Sequence, residues 1–415
     1  MKIEDFKNKK VTIFGLGVMG GGVGTAKFLS KSGARVTVTD IKTETDLAES
    51  VDSLKKQKID FILGKHRRED FTNVDFVIKG PGIPNNSQYL EIARKNKVPI
   101  ETDIGIFFEL CKAPIIGVTG SKGKSTTAVL IQKILKTKFK NVILGGNIGV
   151  SVLDILGKIK KDTIVVLELS SWQLEGLLPH KKSPHIAVIT NIFPEHLNRY
   201  RDFKDYVDAK KIIFKFQKEN DYLILNENLK EFFPQVKSKI VFFKGGNNEA
   251  AKAVSAIYNI NSRKIEEVIN NFESLEGRLE FVEEIDGIKF YNDTCATHPN
   301  ATIYSMEKLK EKEPLGNIIL IAGGEDKNLN FEQFTRFIKK EIKTLILLPG
   351  SASNKIKSEV STIKVENIEE AVREAKKEAQ SGDIVLLSPA AASFNLFKNE
   401  FDRGRKFKEA IKTIT

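Results

Sequence analysis

GVTGSKGKSTT, residues 117–127, lies between a strand-like apolar run, PIIGV, and an amphipathic helical stretch, TTAVLIQKIL. A glycine turn between a strand and a helix aims backbone N–H groups and the positive helix N-terminus at one point, an arrangement that holds phosphate oxygens. Gly123, Lys124 and Ser125 stand in the order of a nucleotide phosphate loop. In such loops the lysine offsets charge on the β- and γ-phosphates and the hydroxyl reaches Mg²⁺. The commonest spacing, G-x-x-x-x-G-K-[ST], would put its first glycine at 118, where this chain has Val118; the glycines stand at 117 and 120 instead. The segment Gly120, Ser121, Lys122, Gly123, Lys124, Ser125, Thr126 and Thr127 is expected to bind ATP or GTP.

Outward from this loop, strand-like and helical runs alternate along all 415 residues, the pattern of α/β domains with mostly parallel sheets. The length exceeds what one core serves, so two or three domains are expected. Boundaries near 101 and 274 divide the chain into 1–101, 102–274 and 275–415. The strand-like runs include KKVTIFGLG, ARVTVTD, NVDFVIKG and PIETD in the first part, and APIIGVTG, TIVVLELSS, HIAVITN and DYLILN in the second. The third part carries NIILIAGG, TLILLPG and DIVLLSP, and Asp286-Gly287 predicts a hairpin there.

Hydrophobic residues at 41% and charged residues at 29% suit a soluble globular protein. The polar N-terminus, MKIEDFKNKK, is not read as a signal peptide, and the apolar runs are strand-length, so a cytoplasmic protein without membrane insertion is expected. The net charge of +12 is spread among acids in segments read as helical, KKQK, KILKTKFK and KLKEK. Lysine-rich solvated faces account for it better than nucleic-acid binding, which would call for an arginine-rich tract with interleaved aromatics. With Cys111 and Cys295 the only cysteines, disulfides and thiolate metal sites are not expected.

A second glycine loop, Gly15-x-Gly17-x-x-Gly20, follows a strand and precedes a helix, and Asp40 ends the next strand. This context suits a diphosphate, with the acid toward a ribose hydroxyl; a tight structural turn is the plain alternative. Glu168 ends the apolar strand TIVVLE, where a carboxylate can hold Mg²⁺ opposite Ser125. His196, in TNIFPEHLNRY, lies beyond the strand HIAVI and is a candidate metal or substrate residue. His66, His180 and His185 read as surface or packing residues, and Trp172 as packing.

Taken together, GVTGSKGKSTT, LELSSWQLE, TNIFPEHLNRY, YNDTCATHPNAT, AGGEDKNLNF and SPAAASFNLFKNEFDRG occur in the order found in the Mur ligases. The loop of that family, G-x-T-G-x-x-G-K-[ST]-[ST], matches 117–126 without a gap, which accounts for the displaced first glycine. The chain resembles the Mur ligase family over essentially its whole length, and ELSSWQLE is similar to the members that add D-glutamate to UDP-N-acetylmuramoyl-L-alanine. The resemblance implies a three-domain, ATP- and Mg²⁺-dependent amide ligase: a Rossmann-like N-terminal domain for the UDP substrate, a central phosphate-loop domain for ATP, and a Rossmann-like C-terminal domain for D-glutamate. A monomer is expected.

Residue by residue, the resemblance implies Gly17, Val18, Met19, Gly20, Asp40 and Gly82 for the UDP substrate, and Asn147 for its muramoyl part. Asn248, Arg278 and Asp293 fall to the nucleotide, and Lys327, Ser393, Phe394 and Arg403 to the incoming amino acid. Lys124, Glu168, His196 and Lys210 form the catalytic set. Ser125 and Glu168 hold one Mg²⁺, His196 helps hold a second, and Lys210, which the family carbamylates, faces the metal as a carbamate. Three departures stand out. Cys295 occupies a position where many members have lysine, Met19 replaces a small hydroxyl residue, and the region of Asn248 lacks the N-x-x-N form. A phosphate-loop ATPase would use only the 117–127 loop, and a dinucleotide dehydrogenase only the Gly15–Gly20 loop; an amide ligase uses both.

Overall fold

The segments IIGVT, Ile115–Thr119, and IVVLE, Ile164–Glu168, are buried at every position. A strand apolar on both faces needs cover on both faces, the condition of a parallel sheet between helical layers. The computed structural model describes residues 1–415 other than 19, 195–198, 234–235, 394–395 and 415. The expectations for Met19, His196 and Phe394 therefore lie outside the described residues. The chain divides into two compact units, Met1–Asn271 and Phe272–Thr415.

Unit one carries two parallel sheets. The first runs in the order Ile59–Leu63, Arg35–Asp40, Lys10–Phe14, Phe76–Lys79, Ile100–Glu101. Its strand order reverses between Lys10–Phe14 and Phe76–Lys79, the place where open α/β sheets bind ligands. The second runs Lys239–Phe243, Tyr222–Asn226, Ile186–Ile189, Ile115–Thr119, Ile164–Glu168, Val142–Gly146. Its register sets Glu168 beside Val118 and Gly146, and Thr119 beside Ile189. The strand ends that bear polar residues thus share one edge. Helix Lys124–Lys136 packs along helix Asn247–Ile257 over this sheet. Between the sheets, helix Asp103–Leu110 buries Ile104, Ile106, Phe107 and Phe108 in a core shared with both.

Unit two has a six-stranded sheet in the order Glu280–Ile285, Ile288–Asn292, Ile384–Leu387, Ile318–Gly323, Thr344–Leu348, Ser361–Lys364. All its pairs are parallel except the Glu280–Ile285/Ile288–Asn292 hairpin. Asp286 and Gly287 both have positive φ, 53° and 75°, as a two-residue primed turn requires. The mixed α/β architecture on three sheets is the expected one. One local reading is corrected: Lys55–Lys58 lies in a turn beyond helix Ala48–Asp52, because the chain must reverse there to enter the edge strand Ile59–Leu63.

Candidate active site

The loop after Ile115–Thr119 is braced from the neighbouring strand end. Ser121 N donates to Asn191 O at 2.9 Å and Lys122 N to Asn191 Oδ1 at 2.8 Å, while Thr190 Oγ1 donates to Lys122 O at 2.6 Å. Ser121 Oγ donates to Phe193 O at 3.0 Å. Gly123 begins the helix at φ 80°, and a Cβ there would stand 2.1 Å from Asn247 Oδ1, so only glycine fits this corner. Such bracing fixes the loop backbone before any phosphate arrives, which lowers the ordering cost of binding.

Ser125 and Glu168 meet at the core of the site. Ser125 Oγ donates to Glu168 Oε2 at 2.6 Å, and Asn147 Nδ2 donates to Oε1 at 3.1 Å. Glu168 is 1% exposed, held there by the register that sets it beside Val118 and Gly146. Lys124 Nζ folds back onto its own loop, donating to Gly120 O and Ser121 O at 3.1 and 3.0 Å. Lys210, buried on helix Phe203–Lys215, donates to the same Gly120 carbonyl at 2.8 Å, and its ammonium lies 4.5 Å from the Tyr206 ring centre. Among the described residues no group of three or more His, Cys, Asp and Glu side chains is arranged to hold a metal alone. One carboxylate and one hydroxyl fit Mg²⁺, which keeps waters and takes further oxygens from phosphates.

At the first sheet's switch point, the glycine loop is organised from below. Asp40 Oδ2 accepts from Leu16 N at 2.8 Å and Gly17 N at 3.1 Å, and Oδ1 accepts from Lys42 N at 3.0 Å. Its carboxylate therefore shapes the loop. Gly20 caps helix Gly21–Lys31 at φ 83°, and Val18 and Gly82 are exposed on the same side of the strand ends.

In unit two, Asp293 is buried at the end of strand Ile288–Asn292, accepting from Ser388 Oγ at 2.7 Å and Leu279 N at 3.2 Å. Arg403 is wholly buried; its guanidinium donates to Thr294 Oγ1, Thr294 O and Ala391 O at 3.0, 2.9 and 3.3 Å. Burial lowers its pKa to about 10. Paired bonds between Glu325 and Ala392 join the loop that carries exposed Lys327 to the loop that carries buried Ser393. Cys295 is partly exposed beside Thr294, and its N–H donates to Gly277 O at 3.0 Å. Arg278 is partly buried in the same turn.

Three family models match the chain in succession: Mur ligase MurD-like, N-terminal domain, over 9–102; Mur ligase middle domain over 118–285; and Mur ligase, glutamate ligase domain, over 277–391. The chain belongs to the Mur ligase family. This Mur ligase is 39% identical, over 100% of both chains, to the UDP-N-acetylmuramoylalanine–D-glutamate ligase of Borreliella burgdorferi (strain ZS7). It is 36% identical to the enzyme of that name from Roseiflexus sp. (strain RS-1), over 98% of this chain and 99% of the other. Its fold is similar to that of the UDP-N-acetylmuramate-alanine ligase of Thermotoga maritima, with a TM-score of 0.64 and 18% identity over 98% and 100% of the two chains.

The structure adds residues that the sequence reading missed in this Mur ligase. Asn247, not the exposed Asn248, lies against the phosphate loop, where it accepts from Thr127 Oγ1 at 3.3 Å. Asn191 clamps Lys122 from both sides, its Nδ2 donating back to Lys122 O at 3.0 Å. Its place two residues beyond the apolar run HIAVI, at a strand's carboxyl end, was the available signal. Among the described residues no helix is long and apolar enough to cross a membrane. His180 packs between Glu101 and Glu109, which raise its pKa by accepting from the ring.

Proposed function

We propose that this Mur ligase joins D-glutamate to UDP-N-acetylmuramoyl-L-alanine at the expense of ATP, in the cytoplasm and as a monomer. The observation that carries the reading is the Ser125–Glu168 pair, 2.6 Å apart at the base of a braced phosphate loop onto which Lys124 and Lys210 converge. The full-length relatives named for this reaction support it. Residues 1–101 bind the UDP substrate, 102–274 bind ATP and 275–415 bring the amino acid.

The substrate's terminal carboxylate attacks the γ-phosphorus of ATP, ADP leaves, and an acyl phosphate forms. The D-glutamate amine then adds to the acyl carbon, loses a proton, and expels phosphate from the tetrahedral intermediate. Carboxylate and triphosphate repel, so the chain's task is to gather positive charge around them. Loop N–H groups at 123–125, where the helix begins, and Lys124 hold the β- and γ-phosphates. Ser125 and Glu168 would hold Mg²⁺, and Lys210 would join them as an acceptor once its neutral amine had added to CO₂ and released a proton as the carbamate. Bound there, Mg²⁺ supplies charge neutralisation between the two anions. Asn147 orients Glu168 and meets the muramoyl part, and Asp40 sets the glycine loop for the diphosphate. In unit two, Arg403 fixes the Thr294 and Ala391 turns near Ser393 and Lys327, which receive the amino acid.

Cys295 favours one second reading, a sister ligase that takes a different amino acid. Phosphate release with UDP-N-acetylmuramoyl-L-alanine, ATP and Mg²⁺, screened over D- and L-amino acids, separates the two. D-Glutamate supporting the fastest turnover is the expected result. Faster turnover with another amino acid assigns the sister activity.

A further inference from the structure

Glu175 ends the ELSSWQLE motif, and the reaction derived above gives it no task. Its carboxylate collects donors from two distant stretches of chain: Asn85 Nδ2 at 2.9 Å, Tyr200 OH at 2.8 Å, and the Arg199 guanidinium at 3.5 Å. Asn85 lies in GPGIPNN, the loop that leaves the switch-point strand Phe76–Lys79; Arg199 and Tyr200 belong to TNIFPEHLNRY. Arg199 also donates to Gly82 O at 3.3 Å and lies 4.5 Å from the Trp172 ring centre. The Arg199 and Glu175 side chains are 14% and 15% exposed. So shielded a pair is weakly screened by salt, and removing one partner leaves a costly unpaired charge.

The same loop is held at two further carbonyls, with Lys79 Nζ donating to Ile83 O at 3.2 Å and the Arg94 guanidinium to Asn85 O at 2.9 Å. Surface loops are ordinarily mobile and loosely tied. This one is anchored by three cations and a carboxylate at the place where open sheets bind ligands. We propose that Glu175 and Arg199 are positioning residues for the UDP-linked substrate. They fix the Gly82–Asn85 loop against the central sheet, so that a substrate seated at the first sheet presents its carboxylate to the 120–125 loop. Ordering the loop beforehand removes that cost from binding. The proposal rests on the ligase reading above.

The test uses Glu175→Gln, Asn85→Ala, their double variant, Arg199→Gln and Arg199→Lys, with KM measured separately for UDP-N-acetylmuramoyl-L-alanine and ATP and melting followed alongside. Glu175→Gln keeps an acceptor for one donor and loses the charge, so the acceptor-substrate KM rises roughly tenfold while that for ATP stays within about twofold. Asn85→Ala raises the same KM, the double variant is no worse than the worse single, and Arg199→Lys recovers part of the loss in Arg199→Gln. A purely structural role would lower the melting temperature and the active fraction while leaving both KM values alone. An unchanged acceptor-substrate KM in folded Glu175→Gln overturns the positioning role, as does an equal rise for ATP or multiplying effects in the double variant. Calorimetric binding of the UDP substrate to wild type runs in parallel. A wild type that neither binds nor turns over this substrate overturns the ligase reading itself, whereas an active wild type with unchanged variants overturns only the positioning.

Discussion

Lys124 and Lys210 meet on one oxygen: both ammonium groups donate to the Gly120 carbonyl, at 3.1 and 2.8 Å. One comes from the first turn of the phosphate-loop helix, the other from helix Phe203–Lys215. Two cations held this close repel unless an anion joins them, and the repulsion grows with burial. The arrangement suits a triphosphate, and on the proposed reading Lys210 acts as a carbamate, formed when its neutral amine adds to CO₂ and releases a proton. Lys210→Ala is expected to lose most turnover by removing a metal-facing acceptor, and acetate is expected to restore part of it with saturation. Lys124→Ala should fall by about 10²–10³-fold or more with no acetate response, because a carboxylate cannot replace a cation. Phosphate release measures both, and a fully active Lys210→Ala enzyme would return this lysine to a packing role.

Glu168 tests the metal. Replacing it with glutamine keeps the volume beside Ser125 and Asn147 but removes the charge. Turnover is expected to drop about 10²-fold and the Mg²⁺ concentration for half-maximal rate to rise. The fold should stay intact, because Ser125 and Asn147 retain a polar partner. Mg²⁺ titration of the rate decides; an unshifted titration curve would take Glu168 out of the metal site.

Asp40→Asn addresses the first loop. The carboxylate accepts three backbone N–H groups, from Leu16, Gly17 and Lys42. An amide presents donors on one side, so at least one of these N–H groups loses its acceptor, at a cost of about 1–3 kcal/mol. KM for the UDP substrate should rise roughly tenfold and the melting temperature should fall, with KM for ATP nearly constant. A normal melting curve together with a normal KM would show that the loop needs no support from this residue.

Lys79 offers a pH test. It is buried, and desolvation lowers its pKa from 10.5 to about 8. Between those two values the unfolded chain binds the extra proton, so stability rises with pH through that window as the burial penalty is relieved. Lys79→Met should therefore stabilise the protein most below about pH 8, and the gain should shrink toward about pH 10.5. Thermal melts of both proteins across this range give the difference directly. A gain that does not vary with pH would mean that packing, not charge, is responsible.

Central strands were legible because they are apolar on both faces: IIGVT, IVVLE and TLILL are buried at every position. The four strands missed in the sequence reading, Ile59–Leu63, Val142–Gly146, Lys239–Phe243 and Ser361–Lys364, all stand at sheet edges. KIVFF and STIK are largely exposed. An edge strand has one neighbour and thinner cover, so its residues need not form the continuous apolar run that marks a strand in a sequence.

The site divides along the same line. Sequence by itself determined the phosphate loop, its Lys124 and Ser125, the strand-end Glu168 and the Asp286-Gly287 turn, since each depends on residues close together in the chain whose chemistry is set by spacing. Only the tertiary structure decided that Asn247 and not Asn248 faces the loop, that Asp40 spends its carboxylate on backbone N–H groups, and that Lys210 reaches Gly120. It alone joined Glu175 to Asn85 and Arg199. Those contacts span tens of residues to more than a hundred, and strand order and register bring them together. A lysine on a helix reads the same in sequence whether it meets water or a buried carbonyl, because burial is a property of what packs against it.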